Sequence, residues 1–273
     1  MSLTWGAGLH TTTAGPVDAS AYWQYIGRWS ARFVTALLAA AKIGPGDRGL
    51  NVATGTGVAA QPALALVGES GLVVGVDISL AMLDAARARL SSGRFLPVVS
   101  DGQALVFPHA TFGAVLCQLG LMFFPDPARG LAEFHRVLRV GRHAAVCVIA
   151  APERAPMWGI LAETLGRHLP EQHQTLRLSF ALAEPARLEM LFTAAGFSDV
   201  RVTRETREGT VASFEEYWAP IEAGTGQMPQ ACLALPAPIR RAVRNEVRAR
   251  LAPFELNGQL TTSVDMLIGT GRA

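Results

Sequence analysis

The sequence predicts an α/β protein with a Rossmann-like, doubly wound sheet of seven strands, mostly parallel, that carries helical cap insertions. Three observations lead to this fold class. Short apolar runs alternate with helical segments, which is typical of a parallel sheet covered by helices on both faces. A glycine-rich turn with Gly55 and Gly57 follows the first run directly. Acidic residues, Asp77 and Asp101, follow the second and third runs.

The elements follow from hydrophobic periodicity and from turn residues. Spacings of three and four between Trp23, Trp29 and Phe33 indicate helix before the first strand. Ser79 suits the N-cap of a helix, and Gly196 suits a helix end. The predicted strands are 49–53, 72–76, 95–99, 112–117, 143–149, 200–206 and 263–269, and the predicted helices that follow the first strands include 79–90, 127–140 and 183–195.

The chain is expected to form one structural domain with three regions. Residues 1–44 form an N-terminal helical lid, residues 45–150 form a cofactor-binding half, and residues 151–273 complete the sheet. Two stretches, about 151–182 and 207–260, do not fit the alternation and look like helical insertions. Ligands of open α/β sheets bind outside the carboxyl ends of the strands, so these insertions are expected to form a substrate cap.

Composition excludes several classes of protein. Half of the residues are hydrophobic and 17% are charged, as in a compact globular protein, and no apolar run approaches the ~20 residues of a membrane-spanning helix. The first residues do not resemble a secretory signal, which predicts a cytoplasmic location. The net charge of +2 is too small to indicate a nucleic-acid partner. The six histidines lack metal-ligand spacing, so no metal is expected, and the oligomeric state is left open.

Three segments carry the predicted chemistry. Small residues in Asn51–Gly57 let the backbone turn sharply beside a ligand, and the following helix offers free N–H groups. Asp77 lies twenty positions after Gly57, where a carboxylate accepts from a ribose diol. Asp101 is placed to accept from an adenine amino group. This pattern fits any adenosine ligand, including nicotinamide and flavin cofactors.

The chain resembles the class I S-adenosylmethionine-dependent methyltransferases, and within them the subgroup similar to ubiquinone/menaquinone-biosynthesis methyltransferases. The resemblance covers roughly residues 45–150. It lies in the segments NVATGTG at 51–57, GVDISLAML at 75–83, SDGQAL at 100–105, CQLGLMFFPD at 117–126 and FHRVLRVGR at 134–142.

The resemblance implies a cofactor, S-adenosylmethionine, a small-molecule methyl acceptor of apolar or aromatic character, and O-, N- or C-methylation. Gln118 and Leu119 would lie nearest the methionine end and the acceptor. Asp77 and Ile78 would hold the ribose, and Met82 would border the nucleoside. Around these, the implied cofactor-binding residues are Asn51, Ala53, Thr54, Gly55, Thr56 and Gly57 in the first motif, and Asp101, Gly102 and Gln103 around adenine.

Two residues depart from the family pattern. Asn51 stands where an acidic residue is usual, so a charge partner for the cofactor ammonium is either missing or supplied elsewhere. Ala53 stands where glycine is common. The sequence names no catalytic residue, although His168 and His173 fall in the expected cap. Two alternatives stay open on the sequence: an NAD(P)-dependent Rossmann oxidoreductase and a non-catalytic S-adenosylmethionine-binding protein.

Overall fold

Seven main strands and one two-residue strand, Glu255–Leu256, form the mixed sheet at the centre of the molecule, and the short strand pairs with the start of the last main strand. The computed structural model describes residues 22–224 and 226–273, together with the backbone of two short paired strands, Thr4–Trp5 and Leu9–His10. The strands of the central sheet are β1 Arg48–Val52, β2 Leu72–Asp77, β3 Phe95–Val99, β4 Phe112–Gln118, β5 Leu138–Ile149, β6 Ser198–Val211 and β7 Gln259–Arg272.

The strand order is β3-β2-β1-β4-β5-β7-β6, and β7 runs antiparallel to both of its neighbours. The other neighbouring pairs are parallel. The predicted fold class is therefore confirmed. Strand β4 is fully buried from Phe112 to Cys117, because helices cover both faces of the sheet. The order reverses between β1 and β4, which opens a crevice at their carboxyl ends.

Helices flank this sheet, and five of them lie within the two predicted insertions. Their bounds are α1 Val34–Ala41, α2 Ala60–Val67, α3 Leu80–Leu90, α4 Pro127–Val137, α5 Pro156–His168, α6 His173–Leu176, α7 Pro185–Ala194, α8 Phe214–Glu222, α9 Gln227–Leu233 and α10 Ala237–Leu251. Short 3-10 turns lie at Leu121–Phe123, Pro152–Arg154, Pro170–Gln172, Leu178–Phe180 and Ala252–Phe254.

Several predicted boundaries were wrong. Helix α4 ends at Val137 and not at residue 140, because Leu138 is already extended and pairs with Phe112 of β4. Val140 continues the apolar spacing of the helix but is 91% exposed. Hydrophobic periodicity therefore extended the predicted helix too far. Strands β6 and β7 are 14 residues each, twice the predicted length. Their alternating polar residues on the exposed face weakened the apolar signal.

The two predicted insertions pack against each other and form one unit, named here the helical cap. Arg250 of α10 pairs with Glu163 of α5 at 2.5 Å, and Arg167 pairs with Glu246. The Tyr217 hydroxyl of α8 donates to the Met157 carbonyl at 2.7 Å. Residues 207–211 and 259–260 of the second insertion belong to β6 and β7 instead, which shortens its helical part.

The described part of the predicted N-terminal lid is a helical arm, Tyr22–Phe33, that continues into α1. A π-helix, Trp23–Gly27, and a 3-10 turn, Ala31–Phe33, make the arm irregular. The paired strands at Thr4–Trp5 and Leu9–His10 are not helical, and the other residues before 22 lie outside the described residues. The remaining lid prediction is therefore not assessed.

The arm crosses the carboxyl edge of the sheet from α3 to the helical cap. The Arg89 guanidinium lies 4.0 Å from the centre of the Trp23 ring. At the other end, Trp29 meets Trp158 of α5 edge to face, with ring centres 5.7 Å apart. Trp29 also packs against Gly209 of β6, where an added Cβ would lie 1.5 Å from its ring. The arm thus contacts α3 at one end and both α5 and β6 at the other.

Replacing Gly209 with alanine is expected to detach the arm from β6, because the new methyl group occupies the position of the Trp29 ring. Limited proteolysis should then cleave the chain before α1 several times faster than in the unmodified protein. Gly44→Ala is the matched control, because no atom lies within 4 Å of its added Cβ. Equal cleavage rates for the two variants would contradict this packing.

No helix of the described residues combines the length and apolarity needed to cross a bilayer. Within the same residues, no three His, Cys, Asp or Glu side chains are grouped so that they could hold a metal ion.

Candidate active site

The loop after β1 turns at the switch point of the sheet. Ala53, Gly55 and Gly57 all have positive φ, at 52°, 53° and 80°. An added Cβ at Gly55 would meet no atom within 4 Å, so this glycine faces open space. At Gly57 the same atom would lie 3.0 Å from Leu90 of α3. One glycine therefore leaves room beside the loop, and the other lets α3 approach it.

Ala53, one of the two departures from the family pattern, packs against another glycine. A Cβ at Gly120 would lie 2.4 Å from the Ala53 Cβ and 3.0 Å from the Cys117 Sγ. The Ala53 methyl group therefore occupies space that a side chain at position 120 would need. The two positions are coupled, although 67 residues separate them.

Asp77 stands at the end of β2 and braces the first loop. Its Oδ2 accepts from the Gly55 N–H and its Oδ1 from the Ser79 N–H, both at 2.9 Å. Burial raises the pKa of Asp77, and these backbone hydrogen bonds oppose the rise. Each carboxylate oxygen has a second lone pair, so acceptor capacity remains for a diol.

Asp101 lies in the turn after β3 and bonds to its own segment. Its Oδ1 accepts from the Gln103 N–H at 2.8 Å and from the Gln103 Nε2 at 3.3 Å. The Gln103 Oε1 accepts from the Asp126 N–H at 2.8 Å, which ties this turn to the start of α4. Gly102 accommodates Phe124, whose ring would lie 2.4 Å from an added Cβ. Gln103 thus has a structural contact that the sequence did not indicate.

Glu133 of α4 also holds the turn after β3, and the sequence did not single it out. Its Oε2 accepts from the Leu105 N–H at 2.8 Å, and Arg136 pairs with its Oε1 at 2.7 Å. The hydrogen bonds from Arg136 lower the pKa of Glu133, and the Leu105 N–H adds to the effect. The folded protein therefore stabilises the ionised carboxylate.

A Glu133→Gln substitution is expected to lower the free energy of unfolding by about 1–2 kcal/mol at neutral pH, since it weakens charge-assisted hydrogen bonds. The pKa is lower in the folded state, so this stabilisation is present above the ordinary glutamate pKa and is lost as pH falls through the folded value. Urea unfolding at several pH values measures it. The exposed Glu69→Gln is the control, and a pH-independent difference would contradict the assignment.

The crevice between β1 and β4 contains a pocket that seven of the predicted residues line: Asn51, Ala53, Thr54, Gly55, Thr56, Gln118 and Leu119. The structure adds four residues, Tyr22 and Ser30 of the arm and Val58 and Ala59 of the loop. The empty space there amounts to about 320 Å³, a figure that includes open solvent and gaps too narrow for a water molecule. The other predicted residues, Gly57, Asp77, Ile78, Met82, Asp101, Gly102 and Gln103, lie outside this lining and stay predictions.

The arm contributes directly to this site. The Gln118 Nε2 donates to the Ser30 carbonyl at 2.6 Å, which fixes the end of β4 against the arm. Burial raises the pKa of Tyr22 to about 12, and the charge of Asp77 adds to the rise. Tyr22 therefore stays protonated at neutral pH. The helical periodicity around Trp23 and Trp29 indicated a helix in the sequence, but not its placement over this crevice.

Three buried polar atoms in the pocket lack a hydrogen-bond partner. They are the Asn51 Oδ1, the Thr56 Oγ1 and the Gln118 Oε1; the described residues contain one more such atom, the Thr262 Oγ1 in β7. A buried unpaired polar atom costs about 1–3 kcal/mol, and native proteins have few of them. Their concentration in one pocket shows that this pocket needs polar partners from outside the chain.

Comparisons with known proteins agree with this geometry. A family model described as a methyltransferase domain matches residues 50–146. A demethylmenaquinone methyltransferase of Corynebacterium kroppenstedtii is 40% identical over 128 residues, which are 46% of this chain and 52% of that protein. One from Mycobacterium sp. strain KMS is 33% identical over 174 residues, 60% of this chain and 73% of that protein. The match thus spans about half the length of the first relative.

Solved structures share the fold. Phosphoethanolamine N-methyltransferase 2 of Haemonchus contortus, in complex with S-adenosyl-L-methionine, has a TM-score of 0.59 at 15% identity, over 96% of this chain and 58% of that one. A SAM-dependent methyltransferase of Aquifex aeolicus has a TM-score of 0.51 at 18% identity, over 68% and 90%. The chain belongs to the class I S-adenosylmethionine-dependent methyltransferases, in the subgroup similar to ubiquinone/menaquinone-biosynthesis methyltransferases.

Proposed function

We propose that the protein transfers the methyl group of S-adenosylmethionine to a small, apolar or aromatic acceptor of the quinone type. The single observation that carries the cofactor assignment is the set of unpaired polar atoms of Asn51, Thr56 and Gln118 in one pocket at the switch point of the sheet. The quinone-type acceptor is supported by the relatives, which are named demethylmenaquinone methyltransferases.

The residues around the pocket fit the cofactor. Amide and hydroxyl groups of Asn51, Thr56 and Gln118 suit the amino-acid end, and the open face of Gly55 leaves room for the chain that follows. Asp77, which is bonded to the Gly55 N–H, would hold the ribose. The turn at Asp101 would surround adenine. The NAD(P) alternative is disfavoured by the family to which the chain belongs.

When bound, the cofactor supplies a methyl group on a positively charged sulfur, a donor that is already activated. The main task of the chain is to align the acceptor with that group and to exclude water. Gln118 and Leu119 at the end of β4 would lie nearest the reacting atoms. The edge-to-face contact of Trp29 with Trp158 joins the arm to the helical cap.

No base is assigned. His168 lies 3.7 Å from Glu246 in the ion-pair network that joins α5 and α10, and His173 packs under Gly166. Neither histidine lines the pocket. Tyr22 lines it, but its raised pKa keeps the phenol protonated, so it can donate a hydrogen bond and not accept a proton at neutral pH. A phenol-like or quinol acceptor that ionises in solution would not need such a base.

Methyl-labelled S-adenosylmethionine tests this function. The protein is incubated with the labelled cofactor and either a reduced demethylmenaquinone analogue or a metabolite extract, and the products are analysed by mass spectrometry. Label in a small quinol supports the proposal. Label in protein or RNA overturns the acceptor class, and cofactor binding without turnover favours a non-catalytic binding protein. The cytoplasmic location stays a prediction of the sequence.

A further inference from the structure

The geometry points to a cofactor ammonium held by the neutral amide oxygens of Asn51 and Gln118, without a carboxylate. This inference rests on the proposed function and concerns how the pocket recognises the amino-acid end of its ligand. It makes Asn51 and Gln118 specificity-determining residues for an adenosyl thioether that carries an amino group.

The first observation is the orientation of the two amides. The Asn51 Nδ2 donates to the Thr54 Oγ1 at 2.9 Å, and the Gln118 Nε2 donates to the Ser30 carbonyl at 2.6 Å. Both nitrogens are thus engaged, and both oxygens, Oδ1 and Oε1, are buried without a partner. Each amide presents an acceptor, and neither presents its donor.

The second observation is burial. Asn51 is 1% exposed, so bulk solvent does not reach its oxygen, and Asn51 lines the pocket together with Gln118. A ligand with several N–H donors would supply the partner that each of these oxygens lacks. An ammonium group has three donors and no acceptor, which matches this arrangement.

The third observation is the absence of charge in the lining. None of the described residues that line the pocket is Asp, Glu, Lys, Arg or His. Asp77, just outside it, already accepts from the Gly55 and Ser79 N–H groups. The lining therefore offers no carboxylate to the cofactor ammonium, either at position 51 or at another lining residue. The amide dipoles of Asn51 and Gln118 take the role of that carboxylate. The Thr56 hydroxyl, which can donate, suits the ligand carboxylate.

Calorimetry with two probes tests the inference: S-adenosylhomocysteine and its analogue without the amino group. The unmodified protein should bind the first at least about tenfold more tightly, since each tenfold corresponds to about 1.4 kcal/mol. Asn51→Leu and Gln118→Leu should each reduce this preference to less than about threefold, with little change for the deaminated analogue. Asn51→Asp should increase the preference, because a carboxylate attracts the ammonium more strongly.

Thr262→Val is the matched control, because the Thr262 Oγ1 is also buried and unpaired but lies outside the pocket lining. It should leave both affinities unchanged. Thermal unfolding of every variant shows that it is folded, and the two leucine variants test the inference separately. Equal binding of the two probes by the unmodified protein, or a preference that survives both leucine substitutions, overturns the inference while the cofactor assignment stands. If neither probe binds, the cofactor assignment itself is overturned.

Discussion

Replacing Asp77 with asparagine is expected to weaken binding of S-adenosylhomocysteine about 100-fold, because two charge-assisted hydrogen bonds to a ribose diol contribute about 3 kcal/mol together. An amide has only one acceptor oxygen, so the substitution also removes one of the two hydrogen bonds from the Gly55 and Ser79 N–H groups, which adds to the loss. Calorimetry measures the affinity, and thermal unfolding reports the state of the fold.

The matched control is Asp84→Asn, an exposed aspartate on α3 that should bind the ligand as the unmodified protein does. A pH series adds a second test. Burial raises the pKa of Asp77, so the carboxylate becomes protonated at a higher pH than an ordinary aspartate. Affinity should therefore fall as the pH is lowered through that value, and the Asp77→Asn variant should lack this part of the dependence. If Asp77→Asn binds S-adenosylhomocysteine within threefold of the unmodified protein, the ribose assignment is refuted.

Replacing Gly120 with alanine is expected to lower the free energy of unfolding by about 2–3 kcal/mol, the upper part of the usual overpacking range. The added methyl group would lie 2.4 Å from the Ala53 Cβ and 3.0 Å from the Cys117 Sγ. The Ala53 Cβ is bonded directly to the backbone, so a side-chain rotation cannot relieve this closer contact. The midpoint of thermal unfolding should fall by about 5–10 °C.

A second substitution, Ala53→Gly, should restore most of this loss, because it removes the methyl group that the new side chain meets. Alone it should be neutral or stabilising, since Ala53 has a φ of 52°, a conformation that costs a residue with a Cβ about 1 kcal/mol. The double-mutant cycle therefore gives a large coupling energy. Additive effects of the two substitutions would show that Ala53 and Gly120 do not share this space.

The grouping of residues at strand ends could be predicted from the sequence, because parallel strands place their carboxyl ends at one edge of the sheet. Asn51 and Gln118 are far apart in sequence, yet both end neighbouring strands, and the structure brings them into one pocket. The same argument placed Asp77 beside the first loop, where it bonds to Gly55. Strand β3 and helix α3 also have their predicted bounds within one residue.

Other features depended on contacts that no local pattern reports. Tyr22 and Ser30 line the pocket because the arm crosses the edge of the sheet. Trp29 packs against Gly209, which lies 180 positions later in the chain. Glu133 holds the turn after β3 from a helix that follows β4. Each of these roles comes from a residue whose own segment predicts only a helix.

The sequence by itself determined the order of strands and helices along the chain, the edge of the sheet where the loops after β1 and β4 meet, and the nature of the loop after β1, because these depend on short-range periodicity and on backbone freedom at glycines. Only the tertiary structure decided how the arm crosses that edge, and which polar atoms remain unpaired there. The course of the arm and the identity of the unpaired atoms depend on packing between segments that are distant in the chain. Hydrophobic periodicity does not specify which segment packs against which.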